Sequence, residues 1–147
     1  MITEFGFVRI GAGVPAARAG AVRENVASLT ALAEQAEQRR CDLSVYPELC
    51  VTAYTCGDLF HQKALLAAAR GGLSQFIATT AGGHCVHVVG LPLVHSDLLF
   101  NCAVAIQDGR ILGVVPKTFI PGYKEYYEPR WFVPATAVHR DEIELCG

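Results

Sequence analysis

The stretch that decides the fold is Val114–Trp131, which reads V-V-P-K-T-F-I-P-G-Y-K-E-Y-Y-E-P-R-W. An apolar β-type segment leads into it, and prolines, a glycine, lysines, glutamates and tyrosines then crowd together. A packed core does not tolerate so many charges, because an unpaired buried charge is costly. After a strand, this mixture indicates a site with rigid walls, a cation and carboxylates. A surface loop with snorkelling side chains is the alternative.

The bulk composition bounds what the chain can be. Its 147 residues fit one domain, 1–147. Apolar residues make up 52% of it, against an average of ~45–50%, so we expect either a large buried interface or a missing part of the fold. The net charge of −2 comes without a basic stripe, which excludes a nucleic-acid partner. No apolar run approaches the ~20 residues of a membrane span, which excludes a membrane protein.

The expected cellular location follows from the start of the sequence and from its cysteines. The start, M-I-T-E-F, has no signal-peptide pattern. The six cysteines form no C-x-x-C pair, so neither a disulfide framework nor a zinc site is indicated. We therefore expect reduced thiols, a cytoplasmic protein and no bound metal.

The first half of the chain alternates between strand and helix patterns. Phe5–Ile10 and Leu43–Tyr46 read as short strands. Between them, apolar residues recur at helical spacing, at Val22, Val26, Leu29, Ala33 and Ala36. This order predicts a parallel crossover unit in an α/β fold.

The second half adds one helix and three strands. Asp58 is expected to cap the helix, and Gly71-Gly72 to break it before it resumes over 73–80. Asp108-Gly109 predicts a hairpin turn between the last two strands. The predicted strands are Cys85–Leu91, Leu99–Ile106 and Arg110–Val115.

Two charged residues directly follow predicted strands. Glu48 follows the second strand and Lys117 the fifth, which is where α/β sheets place their ligands. A carboxylate beside apolar neighbours could act as a base, and a lysine could stabilise an oxyanion. Taken singly, each is more simply an exposed loop residue.

Other patterns are weaker. Gly11, Gly13 and Ala16 loosely fit G-x-G-x-x-A, but no acidic residue ends a strand ~20 residues later, as a dinucleotide site requires. His84, Cys85 and His87 could be ligands, yet strand alternation puts only Cys85 and His87 on one face. Core packing explains them better.

The cysteines do not supply an obvious nucleophile. Cys50, Cys102 and Cys146 each lack an adjacent histidine or a clear helix N-terminus that would lower the pKa of the thiol. Each is more simply a small apolar residue.

Taken together, these pieces resemble the nitrilase, or carbon–nitrogen hydrolase, superfamily, which carries a Glu–Lys–Cys triad on an α-β-β-α sandwich. P-E-L supplies the family's glutamate as Glu48, and N-C-A-V-A-I-Q-D-G-R-I-L-G-V-V-P-K leads to its lysine as Lys117. The family's second glutamate matches Glu128 better than Glu125. The resemblance is strongest to the glutaminase domain of glutamine-dependent NAD synthetases, which implies substrate-lining roles for Tyr54 and Tyr123.

The resemblance also shows departures. Ala53 stands where the pattern usually has glycine, and Gly57 where an acidic residue is common. Cys146 is followed only by Gly147, and its surroundings match the stretch before the family's cysteine strand. We therefore expect a truncated, partial α-β-β-α sandwich of mixed sheet and flanking helices, without the nucleophile and inactive alone.

The resemblance implies a function for the intact protein. A glutaminase would hydrolyse L-glutamine and supply ammonia for NAD synthesis from nicotinic acid adenine dinucleotide. ATP, magnesium and the NAD precursor are expected only in an absent synthetase domain, with no cofactor in this chain. The partners are then the rest of its own chain and further copies in a homo-oligomer. A fragment of a stand-alone amidase and a dinucleotide-binding module are the alternatives.

A half sandwich would leave one face of its sheet uncovered. Apolar candidates for that face are Phe7, Val45, Val88, Val104 and Ile111. A patch of that kind exceeds what monomers usually expose. We therefore expect the chain to self-associate, to aggregate, or to occur only with the rest of its protein.

Overall fold

The computed structural model describes residues 5–139 and 142–145. Its centre is a mixed five-stranded sheet with the strands in sequence order. Two long helices accompany it, α1 (Val22–Gln38) and α2 (Lys63–Thr79). Short 3-10 segments lie at Tyr54–His61, Glu128–Arg130 and Ala135–Ala137. The strands are β1 (Ile10–Ala12), β2 (Leu43–Val45), β3 (Val86–His95), β4 (Leu98–Gln107) and β5 (Arg110–Pro116).

The sheet has a parallel half and an antiparallel half. Strands β1, β2 and β3 pair in parallel, and α1 and α2 connect them, so the predicted crossover unit is confirmed. Strands β3, β4 and β5 pair antiparallel. The first strand is shifted from its predicted place at Phe5–Ile10. The neighbouring strand β2 begins only at Leu43, shortly after α1 ends at Gln38, so β1 finds a partner only from Ile10 onward.

Two tight turns set the antiparallel register. Asp108 and Gly109 have φ angles of 49° and 69°, which is the type I′ geometry predicted for this hairpin. Ser96 and Asp97 have φ angles of 50° and 62° and form a second such turn. Because this turn is tight, β3 and β4 extend beyond their predicted ends.

The apolar stripe of α1 is confirmed, since all five of its residues are buried. Two expectations for α2 are wrong. The helix runs through Gly71-Gly72 without a break, because Gly72 lies where α2 packs closely against Val22 and Val26 of α1. Asp58 does not cap it, since Gln62 holds that position.

The helices cover one face of the sheet. A single core cluster joins α1 and α2 to the alternate residues of β3 and β4 that point toward them. Val104 is fully buried in that cluster and Ile111 packs against it. The expectation that these two residues belong to the open face is therefore wrong. Strand alternation turns their side chains toward the helices. The opposite face exposes Ile10, Val45, Val94, Leu112 and Val115.

Among the described residues, none of the helices has the length and apolar character needed to cross a bilayer.

Candidate active site

Glu48 lies in a tight turn that follows β2. The chain leaves the sheet after Tyr46, whose N–H donates to Val88 O, and returns at Val51, whose N–H donates to Gly90 O. The turn passes directly over Gly90, where a Cβ atom would lie 2.4 Å from the nitrogen of the residue after Glu48. Only glycine therefore lets this turn pack directly against β3. Gly90 thereby sets the distance between the backbone of Glu48 and the sheet.

Lys117 follows β5, and both its backbone N–H and its backbone carbonyl are hydrogen-bonded. Its N–H donates to Asn101 O at 2.8 Å, and its carbonyl accepts from Ala135 N–H at 2.9 Å. Pro116 pairs with Cys102 as the last residue of the strand. These bonds fix the lysine backbone at the end of the sheet.

The two side chains meet across 69 positions of sequence. Lys117 Nζ lies 2.7 Å from Glu48 Oε1. The same ammonium lies 3.1 Å from Glu128 Oε1 and 2.9 Å from Glu128 Oε2. The prediction that Glu48 and Lys117 converge within hydrogen-bond distance is confirmed.

The two carboxylates differ in their surroundings. Glu128 is 2% exposed and also accepts a hydrogen bond from Tyr54 Oη at 2.6 Å. The Glu48 side chain is 40% exposed. Glu128 is therefore a buried counter-ion of Lys117, whereas the carboxylate of Glu48 is partly open to solvent.

The cluster shifts the pKa values of two of its members. Partial burial of Lys117 favours the neutral amine, but hydrogen bonds to Glu48 and Glu128 outweigh this effect and raise the pKa of Lys117. Burial, followed by the hydrogen bond to Glu128, raises the pKa of Tyr54. At neutral pH the lysine is therefore a cation and the tyrosine a neutral donor.

Asn101 belongs to the same cluster, and the sequence analysis missed it. It lies in β4, is 4% exposed, and its side-chain amide donates to Glu48 Oε1. The one signal in the sequence is a polar residue inside the otherwise apolar segment Leu98–Ile106. That signal names no partner, since Glu48 lies 53 positions away.

A clamp holds the segment that carries Glu128. Arg130 Nε and Nη2 donate to Asp58 Oδ1 and Oδ2 at 2.6 and 2.8 Å, and Trp131 Nε1 donates to Asp58 Oδ1 at 2.9 Å. These bonds, Arg130 first, hold the pKa of Asp58 well below its usual range. The ring of Phe60 packs against those of Trp131 and Phe132.

The other predicted residues differ in their relation to the cluster. Tyr54 contacts it through Glu128, whereas Tyr123 is exposed and packs edge-on against Tyr126. Glu125 is exposed and lines a neighbouring groove of about 1060 Å³. The aromatic walls of this groove are Tyr54, Tyr126, Tyr127 and Trp131.

The alternative sites find no support in the geometry. Helix α1 begins at Val22, nine positions after Gly13, instead of directly after the glycine turn. Gly13 packs against the ring of Tyr46. His84 pairs with Glu37 at 2.7 Å. No group of three metal-ligating side chains forms within residues 5–139 and 142–145.

The described cysteines are all buried and free. Burial raises the pKa of Cys50 to about 11 and that of Cys102 to about 12, so neither has the character of a nucleophile. Cys146 lies outside the described residues.

Comparison with known proteins identifies the family. Residues 9–139 match the family described as carbon–nitrogen hydrolase. The chain belongs to this family. Among curated proteins, it is 37% identical to the glutamine-dependent NAD(+) synthetase of Mycobacterium tuberculosis over 144 residues, which is 98% of this chain and 21% of that protein. It is 35% identical to the Mycobacterium leprae protein of the same name over 134 residues, 91% of this chain and 20% of that one.

Solved structures confirm the fold of this carbon–nitrogen hydrolase chain. A glutamine-dependent NAD(+) synthetase from Cytophaga hutchinsonii superimposes with a TM-score of 0.81 at 26% identity, over 86% of this chain and 22% of that one. An amidase from Nesterenkonia sp. superimposes with a TM-score of 0.71 at 22% identity, over 87% of this chain and 48% of that one. The chain spans about a fifth of the length of the curated synthetases it matches, 21% for the Mycobacterium tuberculosis protein.

Proposed function

We propose that this chain forms the base and oxyanion side of a glutaminase that supplies ammonia for NAD synthesis. One observation carries the proposal. Lys117 Nζ contacts both Glu48 and Glu128, which places a charged donor beside a partly exposed carboxylate. Similarity along 98% of the chain to a glutamine-dependent NAD(+) synthetase supports glutamine as the substrate.

The proposed reaction is acyl transfer through a thioester. Glu48 accepts the proton of a cysteine thiol, and the thiolate attacks the γ-carboxamide carbon of glutamine. The ammonium of Lys117 donates to the oxygen that becomes negative in the tetrahedral intermediate. Collapse breaks the C–N bond, and the amide nitrogen leaves as ammonia with the proton held by Glu48. Water then hydrolyses the thioester to glutamate.

The nucleophile would come from a cysteine beyond this chain. Burial of Cys50 and Cys102, with the raised pKa of each thiol, supports this part of the proposal. The alternative of a stand-alone amidase rests on the Nesterenkonia structure alone, which at 22% identity shows a common fold. The higher identity to the mycobacterial synthetases favours the glutaminase.

The test measures ammonia released from glutamine by the complete gene product. Glu48→Gln and Lys117→Met should each lower kcat/KM by about 100-fold or more, since each removes a group used in the transition state. Glu125→Gln is the matched control, because this exposed carboxylate lies near the site without touching Lys117, and it should retain activity. Full activity in Lys117→Met, or none in the unaltered protein, would overturn the proposal.

A further inference from the structure

We infer that Asn101 is a positioning residue that orients Glu48 for proton transfer, an inference that rests on the proposed glutaminase function. Asn101 lies on the face of β4 opposite to Phe100 and Cys102, which point into the helix-side core. It is nevertheless 4% exposed, because the turn that carries Glu48 covers it.

The chemistry of the partner fixes the orientation of the amide. An ionised carboxylate only accepts hydrogen bonds, so the NH2 group of Asn101 has to face Glu48. The backbone carbonyl of Asn101 accepts the N–H of Lys117 at 2.8 Å. One residue therefore anchors the base through its side chain and the lysine through its backbone.

This arrangement distinguishes the two oxygens of Glu48. Oε1 accepts from both Lys117 Nζ, at 2.7 Å, and the Asn101 amide. In the part of the chain that the structure describes, Oε2 accepts no hydrogen bond from protein. With two donors on Oε1, the carboxylate cannot rotate freely, and Oε2 is left to receive the proton of the thiol. Holding a base in one orientation is worth a large factor in rate, since a misplacement of about 1 Å can cost ~100-fold.

The first measurement does not depend on turnover. A carbodiimide joins Lys117 to the partly exposed Glu48, and mass spectrometry gives the ratio of the cross-linked product to the uncoupled Lys117 peptide. Asn101→Leu should lower this ratio at least about threefold, because Glu48 then loses one of its two anchors. Cys102→Ala, a buried change in the same strand on the opposite face, should leave the ratio unchanged.

The second measurement uses the complete gene product and glutamine. Asn101→Leu should lower kcat about 10-fold or more with little change in KM, and the acid limb of the kcat/KM profile should move to higher pH, because the carboxylate loses a donor. Asn101→Ala also removes the donor and adds neither bulk nor charge, so it should show the same loss and covers the case in which the leucine variant does not fold.

Two outcomes overturn the inference. One is an unchanged cross-link ratio in a folded Asn101 variant, and the other is a loss of kcat without any change in the pH profile. If the unaltered protein releases no ammonia from glutamine, the proposed function fails, while the cross-link ratio still decides the position of Glu48.

Discussion

Ala53 holds a backbone conformation that favours glycine, with φ 70° and ψ 152°. A residue other than glycine in this region costs about 1–3 kcal/mol, and this is the position where the family pattern usually has glycine. Ala53→Gly should therefore raise the free energy of unfolding by about 1 kcal/mol, after the added freedom of the unfolded chain is deducted. Urea unfolding measures it.

The matched control for Ala53 is an exposed alanine within α1. Ala27→Gly should lower the free energy of unfolding by about 1 kcal/mol, since glycine weakens a helix interior. If both substitutions destabilise the chain equally, Ala53 is not strained.

Lys117 contributes a pH-dependent part of the stability. Lys117→Met leaves the buried carboxylate of Glu128 without its counter-ion, and we expect a loss of about 3 kcal/mol at pH 7. Because the folded pKa of Lys117 is raised, the contribution is complete below the unfolded pKa of about 10.4. It is lost as pH rises through the folded value, so the variant and the unaltered chain should converge in stability at high pH.

The control for Lys117 is an exposed lysine in the same loop. Lys124→Met should change the free energy of unfolding by less than about 0.5 kcal/mol at any pH. A gap between Lys117→Met and the unaltered chain that does not narrow as the pH rises through the folded pKa of Lys117 would contradict the assigned ion pair.

The contact between α1 and α2 gives a test at the scale of elements. In α2, Gly71 is exposed and a Cβ atom there would meet nothing within 4 Å, whereas a Cβ at Gly72 would lie 2.8 Å from Val22 and 2.9 Å from Val26. Gly71→Ala should stabilise the chain by about 0.5–1 kcal/mol. Gly72→Ala should destabilise it by about 1 kcal/mol, because overpacking outweighs the gain in helix propensity. Thermal unfolding of the two variants decides this, and equal shifts of the same sign would contradict the close packing.

Elements were predictable from sequence wherever one local pattern decided them. The stripe of α1 and the Asp108-Gly109 turn depend on nearby residues, and both were predicted correctly. The break expected at Gly71-Gly72 failed because the residues that require glycine, Val22 and Val26, belong to another helix. The shift of β1 has the same origin, since its pairing depends on where β2 begins.

The candidate site was predictable in part for the same reason. Glu48 and Lys117 follow strands, which a local pattern can show. The roles of Gly90 and Asn101 depend on where distant segments cross, and the sequence gives no such distances. Glu128 was chosen over Glu125 by resemblance, and only the fold brings its carboxylate to Lys117.

Among the described residues, part of the sheet face opposite to the helices is left uncovered. Ile10 is 63% exposed and Val115 67% exposed on this face. Leaving ~500 Å² of apolar surface in water forgoes on the order of 12 kcal/mol, comparable with the net stability of a domain. We expect concentration-dependent sedimentation and binding of an apolar dye, both reduced by the double variant Ile10→Thr and Val115→Thr.

The control for the open face lies on the helix side. Ala27→Ser in α1 should leave sedimentation and dye binding unchanged. A monodisperse monomer that unfolds cooperatively and binds no dye would show that the open face needs no cover.

The central claim, that the fold joins Glu48 to Lys117, is tested most directly by zero-length cross-linking. A carbodiimide can couple the two only if carboxylate and amine are in contact. The structure places them in contact, with 2.7 Å between Lys117 Nζ and Glu48 Oε1. An equal mixture of 14N- and 15N-labelled chains separates intramolecular products, which carry a single label, from those between copies. We predict a singly labelled Glu48–Lys117 product that disappears in Glu48→Gln and persists in Glu125→Gln. Its absence from the folded chain, with Lys117 coupled to other carboxylates instead, would contradict the site.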